Sequence, residues 1–187
     1  RNTPILTFVN KMDREVQAPL DVLDEIEREL GMTAVPFTWP VGMGKRFHGV
    51  YDRRADHLRV FVPGDDKRGG EVEVLPGRDN PGSLSRFGAE YEQAQGELEL
   101  LDEAAPEFDA AAFLAGEQTP MFFGSAVNNF GVQEVLDALV ELAPAPSSRR
   151  AIQREVEPTE KKFSGVVFKI QANMDPAHRD RIAFVRL

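Results

Sequence analysis

The chain has 187 residues, enough for one sizeable core or for one domain and part of a second. Hydrophobic residues make up 42% and charged residues 28%, a globular balance that excludes a disordered or low-complexity chain. The net charge of −9 argues against broad binding to a phosphate backbone, no apolar run is long enough to cross a membrane, and the absence of cysteine excludes disulfides and thiolate metal sites.

Residues 4–9 (Pro-Ile-Leu-Thr-Phe-Val) form a nearly continuous apolar run, the pattern of a strand buried on both faces of a parallel sheet. The run enters the polar loop Asn10-Lys11-Met12-Asp13. Residues 19–30 read as a helix. Leu20, Val22, Leu23, Ile26 and Leu30 give it an apolar stripe, Asp21 and Asp24 lie where the helix dipole favours acids, and Gly31 supplies a stop. From residue 33 to residue 75 the texture changes. Val35, Phe37 and Trp39 alternate, and Pro36 and Pro40 point to an edge or irregular strand. Residues 47–52, 58–62 and 71–75 are further strand candidates, with turn signals at 64–66 and 67–70. The expectation is a small β-rich insertion. Pro81-Gly82 precedes a helix expected over about residues 83–104, and a second over about 109–115.

Residues 119–123 make another apolar strand, closed by Gly124-Ser125-Ala126. Residues 132–142 are amphipathic, and Val132, Val135, Leu136, Leu139, Val140 and Leu142 are expected on the inner side. Residues 144–150 (Pro-Ala-Pro-Ser-Ser-Arg-Arg) have linker composition, and residues 163–171 and 182–187 alternate like strands of a β-barrel or sandwich. The fold class is therefore α/β.

Two loops carry the chemistry. Guanine presents N1–H and N2–H₂ donors beside an O6 acceptor, and adenine lacks that donor pair. One carboxylate accepts both donors as a fork, which makes Asp13 the natural discriminator. Charge-assisted two-point bonding of this kind is worth roughly several kcal/mol, because the wrong base leaves a buried charge unpaired. Lys11 can lay its alkyl stem over the ring face. Asn10 can offer its amide to the base edge and brace the neighbouring loop. In the second loop the Ala126 N–H is placed to donate to O6, and Ser125 can hydrogen-bond within its own loop and hold that geometry. Both loops follow buried strands at their carboxyl ends, where doubly wound sheets bind ligands. A polar strand-to-helix loop in which Asp13 acts only as a cap is the structural alternative.

With these residues the chain resembles the translational GTPases of the elongation factor G and release factor 3 group. Asn10 to Asp13 matches the group's base-specificity motif and Gly124-Ser125-Ala126 its last guanine-contact loop, with Val127 where many GTPases have Lys or Leu. Asp13 and Ser125 stand 112 positions apart, a gap that resembles the extra subdomain of these families. The release factor 3 family is the better match. It is carried by Thr3-Pro4-Ile5-Leu6-Thr7-Phe8, Thr38-Trp39-Pro40-Val41-Gly42, Phe113-Leu114-Ala115-Gly116-Glu117, the run from Phe168 to Pro176, and His178-Arg179-Asp180-Arg181.

The resemblance implies the C-terminal part of a P-loop-type G domain over residues 1–143, with the β-rich and helical insertion at about 32–117. A linker follows at 144–160, and the first strands of a β-barrel domain at 161–187. It implies GTP and GDP as ligands through the guanine moiety, the ribosome and stop-codon-reading class I release factors as partners of the parent, and a cytoplasmic location. The phosphate loop, the Mg²⁺ ligands and the residue that positions attacking water are expected upstream of Arg1 in the parent. No G-x-x-x-x-G-K-[ST] occurs in this chain, so no catalytic residue is assigned and the piece alone is expected to be inactive. It is also expected to self-associate through the edge of its first strand, which in such a fold would be covered by a strand from outside this sequence.

The remaining signals are plainer. His48, His57 and His178 lack metal-ligand spacing. The acidic helix carrying Glu90, Glu92, Glu97, Glu99, Asp102 and Glu103 reads as a solvated surface. Arg149, Arg150, Lys161, Lys162, Arg179 and Arg181 are either a contact for ribosomal RNA or solvated charges. Two other readings stay open at this point: an elongation factor G-like translocation GTPase, and a protein-interaction module that binds no nucleotide.

Overall fold

The computed structural model describes residues 3–62, 73–172 and 181–186. The turn signals at 64–66 and 67–70, residues 71–72 of the expected third strand, His178, Arg179, residues 173–176 and Leu187 lie outside the described residues. The chain divides into two compact units, Arg1–Ala143 and Pro144–Leu187. Among the described residues no helix is long and apolar enough to cross a membrane.

The first unit is built on a three-stranded parallel sheet. Strand β1 (Thr7–Val9) leads through the Asn10–Asp13 loop to helix α1 (Pro19–Leu30), and strand β2 (Thr33–Pro36) follows. Proline opens α1, and Gly31 closes it in the left-handed region, donating its N–H to the Glu27 carbonyl. Leu20, Val22, Leu23 and Ile26 pack on the core, whereas Leu30 is exposed and leaves the expected stripe.

The chain changes sheets at Phe37. Strand β3 (Thr38–Val41) starts a four-stranded antiparallel sheet, continued by β4 (Gly49–Asp52), β5 (His57–Val60) and β6 (Glu73–Pro76) in that order. The alternation of Val35, Phe37 and Trp39 thus spans two strands. Thr33–Pro36, inside the stretch expected to be insertion, is part of the parallel sheet. Pro36 and Pro40 lie in β2 and β3, each an edge strand among the described residues, where a missing N–H costs least.

Helix α2 (Pro81–Ala104) follows, capped by the Asn80 side chain, which accepts from the Gly82 N–H. It is two helical segments joined at Gly88, whose φ of 51° and ψ of −127° break the helix where one continuous helix was expected. Helix α3 (Ala110–Ala115) is capped by the Asp109 carboxylate. Strand β7 (Gln118–Phe123) then enters between β1 and β2, parallel to both.

All six residues of β7 are buried, as a strand covered on both faces requires. Met121 and Phe123 face one cluster together with Trp39, Val50, Tyr51, Leu58 and Leu98. Phe122 faces the other, with Val35, Phe37 and Ala138. That second face is covered by helix α4 (Val132–Leu142). Here the expectation needs correction. The inner side of α4 is carried by Glu134 and Ala138, with Val135 and Leu142 packed against the cluster, while Leu136, Leu139 and Val140 are exposed. The core positions follow the i, i+3/i+4 spacing from Glu134 to Leu142, and the acid among them is met by Arg59 of β5, whose Nη1 lies 2.5 Å from Glu134 Oε1.

The described residues of the second unit form two small antiparallel ladders. Strands β8 (Arg149–Arg150) and β9 (Glu155–Val156) make one, and β10 (Val166–Ala172) and β11 (Arg181–Arg186) the other, with a register shift between Val167 and Lys169. Val166, Val167, Phe168, Ile170, Ile182 and Val185 are exposed, so these strands carry apolar residues that their own ladder does not bury, and Phe163 just before β10 is exposed as well.

Candidate functional site

The two signal loops meet at the carboxyl end of the parallel sheet. Because β1 and β7 run side by side, with Val9 paired to Phe123, the residues after each strand emerge next to one another. The ladder continues past the strand ends. Gly124 N donates to the Val9 carbonyl at 3.0 Å, and Met12 N donates to the Gly124 carbonyl at 3.0 Å. Met12 is fully buried, and its own carbonyl accepts from Gly44 N at 2.8 Å. This one apolar residue therefore anchors the loop, while Asn10 and Lys11 stay exposed beside it.

Lys11 takes a φ of 73°, an unusual backbone state for a residue with a side chain. The Asn10 side chain supports it. Its Oδ1 accepts from Lys11 N at 2.7 Å and from Ala126 N at 2.9 Å, tying the first loop to the second. Asp13 is half-buried and its Oδ1 accepts from the Ser125 hydroxyl at 2.5 Å.

The second loop is held as firmly. Ser125 is completely buried and exchanges both backbone hydrogen bonds with Phe130, at 2.9 and 3.0 Å. Between them Ala126–Asn128 forms a single 3-10 turn, and Asn129 closes it at a φ of 53°. Gly124 has no room for a side chain. A Cβ there would lie 2.3 Å from the Phe130 carbonyl oxygen and 3.0 Å from Gly131 Cα. The small residue thus permits close approach of backbone to backbone within the loop.

The structure gathers Asn10, Lys11, Asp13, Ser125 and Ala126 into one place. Two details differ from the expectation. The Ala126 N–H is given to Asn10 Oδ1, and Ser125 reaches across to Asp13 rather than bonding only inside its own loop. Sequence reasoning missed Asn128, whose Nδ2 donates to Ser125 Oγ at 2.7 Å. The only local signal for it is an asparagine in a tight turn three positions after a serine. Val127 is exposed at the rim. Of the histidines, His48 stacks on Phe87 and His57 contacts the Ala55 carbonyl, and no group of three or more His, Asp or Glu able to hold a metal occurs among the described residues.

Comparison with known proteins gives the family. The model of the elongation factor Tu GTP-binding domain matches residues 1–145. The chain is 68% identical over 187 residues to a peptide chain release factor 3 of Bordetella petrii, covering 100% of this chain and 35% of that protein. It is 69% identical over 188 residues to one of Nitrosomonas europaea and 65% identical over 187 residues to one of Bordetella pertussis, again covering 100% of this chain and 35% of each relative. The chain thus spans about a third of the length of the curated relatives it matches. A family model that accounts for the whole parallel sheet, both signal loops and α4 establishes that the chain belongs to the elongation factor Tu GTP-binding domain family.

Proposed function

We infer that this chain is the guanine-reading part of a translational GTPase of the release factor 3 type, which uses GTP to help remove stop-codon-reading release factors from the ribosome. The observation that carries the reading is the Asp13–Ser125 contact: an acid and a buried serine 112 positions apart, 2.5 Å from each other at the carboxyl ends of adjacent parallel strands. In this reading Asp13 accepts the N1–H and N2–H₂ of the base. Lys11 lies along the ring face. Asn10 holds the Ala126 N–H, for which O6 of the base competes. The residues present fit a guanine: a forked acceptor, a backbone donor and a flexible apolar stem converge there.

GTP supplies the phosphoryl group whose transfer drives the parent's cycle. In this reading the chain's residues select and orient the nucleotide. Phosphoryl transfer rests on positioning and electrostatic stabilisation of the phosphates, and the groups for that are assigned to other parts of the parent. The release factors, the ribosome and a cytoplasmic site of action belong to this proposal, which is supported by relatives named peptide chain release factor 3. Contact of the basic residues near Arg149 and Lys161 with ribosomal RNA belongs to the same reading, as does a barrel built onto β10 and β11. Strand β1 has β7 on one side only among the described residues. Its other edge is a template for pairing, and light scattering that shows a monomer at high concentration would remove self-association from this proposal.

The test is Asp13→Asn in the full-length protein, with GDP and xanthosine diphosphate competing against a fluorescent GDP analogue. An amide at this position donates where the carboxylate accepted. GDP affinity is expected to fall at least about tenfold, since a charged hydrogen bond is worth about 1.5–3 kcal/mol, and xanthosine diphosphate to gain. Unchanged GDP affinity refutes the site and favours an interaction module.

A further inference from the structure

The hydroxyl of Ser125 has one proton and two claimants. Its Oγ stands 2.5 Å from Asp13 Oδ1 and 2.7 Å from Asn128 Nδ2. A carboxylate accepts and does not donate, so the Ser125 proton belongs to Asp13. The oxygen then faces Asn128 with lone pairs, and a donor must stand there, which is what the amide nitrogen supplies. Asn128 is itself fixed by the turn, since its backbone N–H donates to the Ser125 carbonyl at 3.1 Å. The result is a relay with one direction: amide to hydroxyl to carboxylate. Its origin is the exposed turn and its end is the carboxylate that reads the base.

We propose that Asn128 is a positioning residue for guanine recognition: its amide fills the acceptor side of the Ser125 hydroxyl, turns the single proton toward Asp13, and so holds the Asp13 carboxylate in the plane in which it meets the base. Each carboxylate oxygen accepts more than one hydrogen bond, so the Ser125 bond leaves the fork able to take both donors of guanine. With Asn128 in place Ser125 is completely buried, so the amide itself occupies the acceptor side of the hydroxyl. The inference rests on the reading of Asp13 given above.

The relay predicts an order among variants. Asn128→Ala removes the donor and leaves the hydroxyl less constrained, so guanine affinity falls by about threefold to tenfold, the range for one neutral hydrogen bond. Asn128→Asp puts a second acceptor against the same hydroxyl. It competes for the only proton and adds a like charge near Asp13, so the loss is larger, about tenfold to a hundredfold for a disrupted charged contact.

The experiment uses the full-length protein and equilibrium competition of GDP and inosine diphosphate against a fluorescent GDP analogue. Inosine lacks the 2-amino group and engages Asp13 through one donor instead of two. If Asn128 acts through Asp13, both variants lower the preference for GDP over inosine diphosphate as well as GDP affinity. In an Asp13→Ala background Asn128→Ala then has no further effect. A merely structural turn would weaken both nucleotides equally and add to Asp13→Ala, and that result overturns the proposal. Should Asn128→Asp fail to fold by circular dichroism, Asn128→Ala decides through the same ratio. Asp13→Ala alone separates the two levels of inference. If it leaves GDP binding intact, the site reading fails and this inference with it. If it abolishes GDP preference while the Asn128 variants bind like wild type, only the positioning role is overturned.

Discussion

The contact between Arg59 and Glu134 joins the antiparallel sheet to the helix that follows the second loop, and it sets up an asymmetric mutational test. The Glu134 side chain is 6% exposed and that of Arg59 22%, with 2.5 Å between Nη1 and Oε1. The contact is a close ion pair rather than a well-aligned hydrogen bond. Arg59 Nε and both Glu134 oxygens are buried without hydrogen-bond partners. Two charges held this way are poorly compensated, so their attraction offsets little more than their desolvation. Removing one partner is different, because it strands the other, at a cost of about 3–5 kcal/mol. Arg59→Met strands the more deeply buried carboxylate and belongs at the upper end of that range. Glu134→Leu strands a guanidinium that still reaches water and falls at or below the lower end. The double replacement by apolar residues of similar size lands near wild type or above it, because no charge is left behind. Equilibrium urea unfolding of the four proteins, with equal m-values as the check on two-state behaviour, measures all three differences. Single variants each within about 1 kcal/mol of wild type, the range for surface pairs, would show that the pair is hydrated and refute the argument. So would a double variant as unstable as Arg59→Met.

Two further outcomes follow from the same coordinates. Gly124→Ala forces a methyl to within 2.3 Å of the Phe130 carbonyl, where only backbone can yield. It should cost about 1–3 kcal/mol, as overpacking does, read by urea unfolding, and a neutral substitution would mean the loop is looser than described. The Asp102 carboxyl is pulled up by burial, but hydrogen bonds from Arg78 and Arg53 outweigh that and hold it below the usual carboxylate range. A lowered folded value means stability that is present above the unfolded pKa of about 3.9 and is lost as pH falls through the folded one. Urea midpoints from neutral pH down into that acid range should therefore drop less steeply in Asp102→Asn than in wild type, and parallel profiles would refute the contribution.

Much of this architecture can be read from local pattern because its causes are local. Strand β7 announces itself because both its faces are buried, which leaves no polar alternation in residues 119–123. Helix α1 carries its own start and stop in Pro19 and Gly31. The Asn10–Asp13 loop is recognisable because a polar quartet directly follows a buried run, and its family motif then names the chemistry. What stayed hidden depends on distant partners. The change of sheet at Phe37 leaves no mark because Val35, Phe37 and Trp39 are buried on either side of it, in two clusters. The turn of α4 was misjudged because Leu136, Leu139 and Val140 are more apolar than Glu134 and Ala138. Only the presence of Arg59, 75 positions earlier, makes an inward acid tolerable. The break at Gly88 hides because the run after it is rich in helix formers and Pro81-Gly82 already supplies a helix start before it. Asn128 carries only the signal of an asparagine in a turn, since its meaning lies in a hydroxyl whose other partner is Asp13.

Trp39 gives the first unit a built-in optical reporter. It is the one tryptophan in the chain. It is fully enclosed, its indole N–H donates to Glu97 Oε2 on α2 at 2.8 Å, and its ring meets Phe123 edge-on at a centroid distance of 5.2 Å. Phe123 is the residue immediately before Gly124. With excitation chosen so that only indole absorbs, every emitted photon comes from a point between α2 and the strand end that launches the second loop. Any ligand or partner that shifts α2 against that strand end alters the indole's polar contact and its packing together, and so shifts the emission without a label being attached.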